Sequence, residues 1–156
     1  MKNTFGTDPM DQYSSPIKIN KTKLSKIFVM KVRENLKKPG RILSVIWDNR
    51  SSLISGFVNN YSYIVTFKGK GNIAGNHYHK IKRELFFPVI GNFTVVFEDI
   101  NSKIREEVKL QANKHLVLYI PKNISHVIRA DSDIAILLIT ATAPGTENDE
   151  FPYKVL

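Results

Sequence analysis

The sequence predicts an all-β protein, a sandwich or barrel of short strands. Three observations carry this reading. From residue 61 onward, short runs rich in Val, Ile, Phe and Tyr recur without interruption. Gly, Pro, Asn and Asp separate these runs, as turns between antiparallel strands require. No self-similar period of about 20–50 residues is present, which excludes a solenoid or propeller.

Taken in order, residues 1 to about 16 are polar, carry Gly6, Pro9 and Pro16, and read as a flexible or loosely docked tail. Residues 24–36 carry two patterns. Leu24, Phe28, Val32 and Leu36 recur at helical spacing, while Ile27–Val32 is also a good strand. The turn signal Lys38-Pro39-Gly40 and the strand-like Ile42–Trp47 favour an N-terminal hairpin. Strands are then expected at Tyr61–Phe67, Glu84–Ile90, Phe93–Glu98, Ile104–Leu110, His115–Ile120, Ser125–Arg129 and Ile134–Thr142. The acidic, turn-rich run from Pro144 to Phe151 reads as a surface tail. The chain thus divides into a tail and basic arm or hairpin (1–41), a barrel (42–142) and a C-terminal tail (143–156).

One domain with a real core suits 156 residues. No apolar run approaches the roughly 18 residues of a membrane helix, and the N-terminus lacks an apolar signal core. With no cysteine, disulfides and thiolate metal ligands are excluded, and a cytoplasmic location is expected. The net charge of +9 is uneven. Residues 18–41 hold nine basic side chains against Glu34, so nucleic acid is not expected as a partner of the domain as a whole.

The chemistry concentrates in Gly71–Gly91. His77 and His79 sit two apart, so on an extended strand both rings point to one face. With Glu84 they form half of a metal cage, and His126, after Pro121, is the best candidate to complete it. Three imidazoles and a carboxylate suit a divalent transition ion such as Zn, Fe, Mn or Ni. The competing readings are polar residues on a solvated strand, or histidines that transfer protons without a metal. His115 reads as structural, Trp47 as packing, and Lys80, Lys82 and Arg83 as a solvated turn.

This stretch resembles the first signature of the cupin family, G-x5-H-x-H-x4-E-x6-G, at Gly71, His77, His79, Glu84 and Gly91. The second signature, P-x-G-x2-H-x3-N, is matched at Pro121 and His126. Asn123 replaces its glycine and Ala130 its asparagine; asparagine tolerates positive φ, so the turn can persist. The resemblance spans about residues 42–142 and implies a cupin-type double-stranded β-helix, or jelly-roll barrel. It is strongest to cupin epimerase and isomerase domains that act on nucleotide-linked sugars in bacterial polysaccharide biosynthesis. Asn76–Lys80 with Glu84–Gly91, Leu118–Pro121 with His126, and Asp48-Asn-Arg50-Ser51 carry it. Gly75-Asn76 departs from the arginine or lysine usual before the paired histidines, and Ser51 from a glycine.

The resemblance implies proton abstraction next to a 4-keto group, with His77 and His79 as catalytic groups and Arg50 binding substrate pyrophosphate. It also implies a homodimer, paired through an N-terminal strand laid on the neighbouring sheet. Other cupin functions remain open alternatives: a dioxygenase, a sugar-phosphate isomerase, or a non-catalytic sugar-binding or regulatory module.

Overall fold

The computed structural model describes residues 18–29, 31–34, 40, 42–51 and 53–156. The expected tail over 1–16, and Lys38 and Pro39 of the expected turn, lie outside them. The first four strands are β1 (Lys18–Lys21), β2 (Lys26–Val29), β3 (Lys31–Glu34) and β4 (Ile42–Val45). The barrel continues with β5 (Tyr61–Lys68), β6 (Ile73–Tyr78), β7 (Glu84–Ile90), β8 (Asn92–Asp99) and β9 (Arg105–Gln111). It closes with β10 (Leu116–Ile120), β11 (Ile124–Ala130), β12 (Ile134–Ala141) and the short β13 (Phe151–Pro152). No α-helix occurs among the described residues.

The strands form a six-stranded sheet, β1-β2-β10-β7-β12-β5, and a five-stranded sheet, β13-β6-β11-β8-β9. One core lies between them: Phe67, Phe86 and Leu137 from the first sheet meet Phe93, Phe97 and Leu110 from the second. Alternation decides which face is buried. In β12, Ala135, Leu137, Ile139 and Ala141 turn inward, as a period of two requires. Each fully buried Leu or Phe contributes about 1.5–3 kcal/mol by leaving water.

The turn between β7 and β8 depends on Gly91. Its φ is +82°, and a Cβ there would stand 2.6 Å from the Ile134 carbonyl oxygen. Asn123, in the place of the second signature's glycine, takes φ 61° as expected. Ala130 keeps its local backbone bonds without an asparagine side chain: its N–H donates to the Asn72 carbonyl, and its own carbonyl accepts from Gly71.

Among the described residues of 24–36 the strand reading prevails over the helical one, while residues 30, 35 and 36 lie outside them. β1 and β2 form a hairpin, and β2 pairs with β10, so these arm residues extend the barrel sheet. Phe28 packs with Ile54, Phe57, Leu85 and Val117, while Ile27 packs on the main core. A strand covered on both faces needs apolar residues at consecutive positions, which blurs its periodicity. The hairpin turn is pinned from the barrel, where Glu106 accepts the Lys23 and Leu24 N–H groups at 3.0 and 2.8 Å. β3 and β4 form a separate two-stranded ladder.

The acidic C-terminal run lies mostly at the surface, as expected, but it is anchored to the barrel. β13 pairs with β6, Val155 is buried against Val96 and Val127, and Asp149 is buried. An acidic composition suggested solvent, but the backbone N–H groups of a turn supply the partners that let one carboxylate be buried.

Gly91→Ala tests the turn. Positive φ and the carbonyl contact together predict a loss of about 1–3 kcal/mol, measured as a lower urea midpoint with an unchanged slope.

Candidate active site

Three strands and one turn deliver the site. β6 carries a bulge: the pairing with β11 steps from His126↔His77 to Val127↔Gly75, leaving Asn76 unopposed. Gly75 has φ +109°, and a Cβ there would fall 2.5 Å from the His126 carbonyl oxygen. This explains why no long cation occupies position 75. The Asn76 side chain instead accepts the Val155 and Leu156 N–H groups at 2.8 and 3.2 Å, which ties the C-terminus to the bulge.

The structure brings His77, His79 and His126 together. Ring centroids are 4.8 Å apart for 77 and 79, 4.9 Å for 77 and 126, and 5.8 Å for 79 and 126. Glu84, the first residue of β7, reaches the same point. Its Oε2 lies 3.3 Å from His126 Nε2 and 3.7 Å from His79 Nε2. Arg50 stands apart in character: it is exposed, in the loop after β4, with its guanidinium bound to Asp48. His115 is as expected for a structural residue, with its ring 3.4 Å from the Ser44 hydroxyl. Trp47 packs edge-on against Phe57.

The expectation for the basic turn needs correction. Lys82 is only 4% exposed. Its Nζ lies 2.9 Å from Glu84 Oε1, and the Tyr63 hydroxyl donates to the same oxygen at 3.0 Å. Arg83 donates to the Ser55 and Gly56 carbonyls. Only Lys80 keeps the expected exposure, with its ammonium 4.3 Å from the Phe151 ring centroid.

Asp149 organises the turn that follows His79. Its carboxylate accepts N–H groups from Lys80, Ile81 and Lys82 at 2.8, 2.9 and 2.8 Å. Its backbone carbonyl accepts from His79 Nδ1. A carbonyl cannot donate, so in the neutral ring the proton sits on Nδ1 and Nε2 keeps its lone pair. His126 is oriented in the same way, with Nδ1 3.2 Å from the Ile124 carbonyl oxygen. His77 Nδ1 faces Glu150 at 3.3 Å.

Burial pushes the His126 imidazole down to about 4, against the opposing pull of Glu84, so at neutral pH the ring is uncharged. Burial also lowers His77, despite Glu150. Burial alone would raise the Glu84 carboxyl, but His126, Lys82 and His79 together outweigh it and hold it below the usual carboxylate range. Burial, together with the nearby Glu84 charge, holds the Tyr63 phenol in its protonated form. The Glu84 Oε2 and His79 Nε2 atoms are buried without a partner. With His126 Nε2, three acceptors converge and no donor stands among them. Of the site residues only His77 lines the adjoining cavity of about 620 Å³, together with Gly145, Thr146 and Glu150 among others.

The expected metal can be tested against this arrangement. The ligand atoms of His77, His79 and His126 lie within 4.8 Å of one another, so the three imidazoles could hold a divalent ion. The Nδ1–H bonds to carbonyls are the usual support for such ligands. Glu84 fits less well as the fourth ligand, because its charge is already shared with an ammonium. A metal bound to the imidazoles would polarise a substrate carbonyl.

Fold and site together define a cupin-like protein. The chain belongs to the FdtA family (WxcM-like, C-terminal), whose pattern it matches over residues 22–152. Solved structures agree on the fold. The 3,5-epimerase RmlC from Legionella pneumophila Philadelphia 1, in complex with dTDP-4-keto-L-rhamnose, has a TM-score of 0.75 at 19% identity. That match covers 90% of this chain and 79% of the other. A 3,4-ketoisomerase from Helicobacter canadensis has a TM-score of 0.69 at 20% identity, over 81% and 89% of the two chains. A variant of the 3,4-ketoisomerase QdtA from Thermoanaerobacterium thermosaccharolyticum, in complex with TDP-4-keto-6-deoxyglucose, has 0.68 at 15%, over 84% and 88%. No curated protein matches the chain in sequence.

Replacing Asp149 by alanine removes three charge-assisted backbone bonds and is expected to cost roughly 2–4 kcal/mol. The backbone N–H bonds hold its carboxyl below the usual range although burial opposes them. Its contribution is therefore full above about pH 4 and is lost as pH falls through the depressed folded value. Asp149→Asn should remove that acid-dependent part, as read by urea unfolding between pH 7 and 3.

Proposed function

We propose that this protein is a nucleotide-sugar isomerase that moves a proton between adjacent carbons of a 4-keto-6-deoxyhexose linked to thymidine diphosphate. The observation that carries the proposal is the cluster of acceptors. His79 Nε2, His126 Nε2 and Glu84 Oε2 converge with no donor among them, beside His77 at the mouth of a cavity. A substrate hydroxyl next to the keto group is the donor such a cluster lacks. Membership of the FdtA family, and a fold shared with enzymes that bind thymidine-linked keto sugars, support the same substrate class.

The chemistry follows from the side chains. A lone pair on one of the paired imidazoles takes the proton on carbon 3, which the neighbouring 4-keto group acidifies. The resulting enediolate carries negative charge, and the buried Lys82 ammonium is a cation already present in the site. The proton then returns to carbon 4 while the hydroxyl proton passes from oxygen 3 to oxygen 4. The net change is a 3,4-keto shift, with nothing oxidised or reduced overall. His77 and His79 stand side by side with ring centroids 4.8 Å apart, so a proton can leave and return on one face. That favours the keto shift over epimerisation, in which the proton must return to the opposite face. Arg50 is the proposed cation for the pyrophosphate and would exchange its Asp48 partner for the substrate. Catalysis then runs through the histidines and needs no metal.

His77→Asn and His79→Asn should each lower kcat by roughly 10²–10⁴-fold while thymidine diphosphate still raises the melting temperature. In deuterated water, NMR of the product should find label at carbon 4 of a 3-keto sugar. Label at carbons 3 and 5 of an inverted 4-keto product would mean epimerisation instead.

A homodimer is part of the proposal. Ile64 and Ile134, 61% and 68% exposed, lie on the outer face of the six-stranded sheet beside Leu138 and Ile136. Ile42 and Leu43, 59% and 54% exposed, stand on the β3–β4 ladder. Apolar exposure on this scale suits a second copy. Sedimentation equilibrium should give twice the 17.8 kDa chain mass; a monomer would remove this part of the proposal.

A further inference from the structure

We infer that Lys82 is a built-in counter-cation that keeps the three-histidine cluster free of metal, and that removing its charge turns the cluster into a transition-metal site. The inference rests on the geometry of the site and not on the proposed isomerase reaction.

Glu84 is 1% exposed and is the carboxylate in contact with both His79 and His126. A divalent ion held by the imidazoles would need that carboxylate as its counter-charge. Oε1, however, already receives the Lys82 ammonium at 2.9 Å and the Tyr63 hydroxyl at 3.0 Å. The two oxygens of one carboxylate are about 2.2 Å apart, so an ion bound near Oε2 would share one negative charge with the ammonium. Like charges this close, both withdrawn from water, repel strongly.

Lys82 cannot readily withdraw. It is 4% exposed, its backbone N–H is fixed by Asp149, and a Cβ added at Gly145 would stand 3.9 Å from its Nζ. The other features of a metal site are in place: three imidazoles within 4.8 Å, two of them oriented by backbone carbonyls, and two unpartnered acceptor atoms. What opposes the ion is one positive charge.

Co²⁺ is the probe, because its visible absorption reports coordination directly and independently of turnover. Wild-type protein should bind Co²⁺ weakly and retain less than about a tenth of an equivalent after desalting. Lys82→Met should bind one equivalent roughly a hundredfold or more tightly, while Lys82→Arg, which keeps the charge, should behave as wild type. His126→Ala in the Lys82→Met background should abolish the gain. If Lys82→Met is too unstable to titrate, Lys82→Gln, which keeps a hydrogen-bond donor for Glu84 Oε1 but not the charge, should again bind Co²⁺ more tightly than wild type. Wild-type binding as tight as that of the variants would overturn the inference. So would the failure of both charge-removing variants to gain affinity. Loss of isomerase activity in any of these proteins leaves the binding result unaffected, so the two readings fail separately.

Discussion

The site depends on how one buried negative charge is balanced. Glu84 enters the barrel at the start of β7 and meets two imidazoles and one ammonium. A lone carboxylate in this position would take up a proton or disrupt the core. The Lys82–Glu84 pair lets it stay ionised, and removing either partner alone costs about 3–5 kcal/mol in pairs of this kind. The ammonium supplies the fixed positive charge of this balance, and His126 and His79 add to it. The three imidazoles lie close enough together to hold a divalent ion.

The rest of the architecture holds that arrangement in place. The bulge at Gly75-Asn76 lets His77 and His126 lie opposite each other. The turn after His79 is fixed by Asp149, whose carboxylate and carbonyl bind the turn and the ring respectively. Asn76 in turn holds the last residues of the chain against β6. The C-terminal segment is therefore a working wall of the site: Glu150 faces His77, and Thr146 lines the cavity. The outer hairpin β1–β2 is fixed from inside by Glu106, so the basic arm joins the same body as the catalytic barrel.

Much of this was legible in the sequence. The strands from residue 61 could be read because their alternation and turn residues agree. His77, His79, Glu84 and His126 could be grouped because strand periodicity and a family signature point to the same residues. Two features escaped. Lys82 looked like one cation in a solvated basic turn, since nothing local reports that a lysine stem lies inside a barrel. Asp149 looked like one more acid in a polar tail, since its partners are the backbone of residues 80–82, about 70 positions away. Long-range backbone hydrogen bonds leave no periodic trace. The same limit applies to β2, where apolar residues on both faces imitate a helix.

The most direct test of the central claim is the protonation of the His126 ring, read by ¹⁵N NMR of histidine-labelled, metal-free protein. If the Lys82 ammonium balances Glu84, ring 126 should be neutral at pH 7 with its proton on Nδ1, and should gain a second proton only on approaching pH 4. A doubly protonated ring 126 at pH 7 would mean that an imidazolium, and not the lysine, neutralises the carboxylate, which contradicts the central claim.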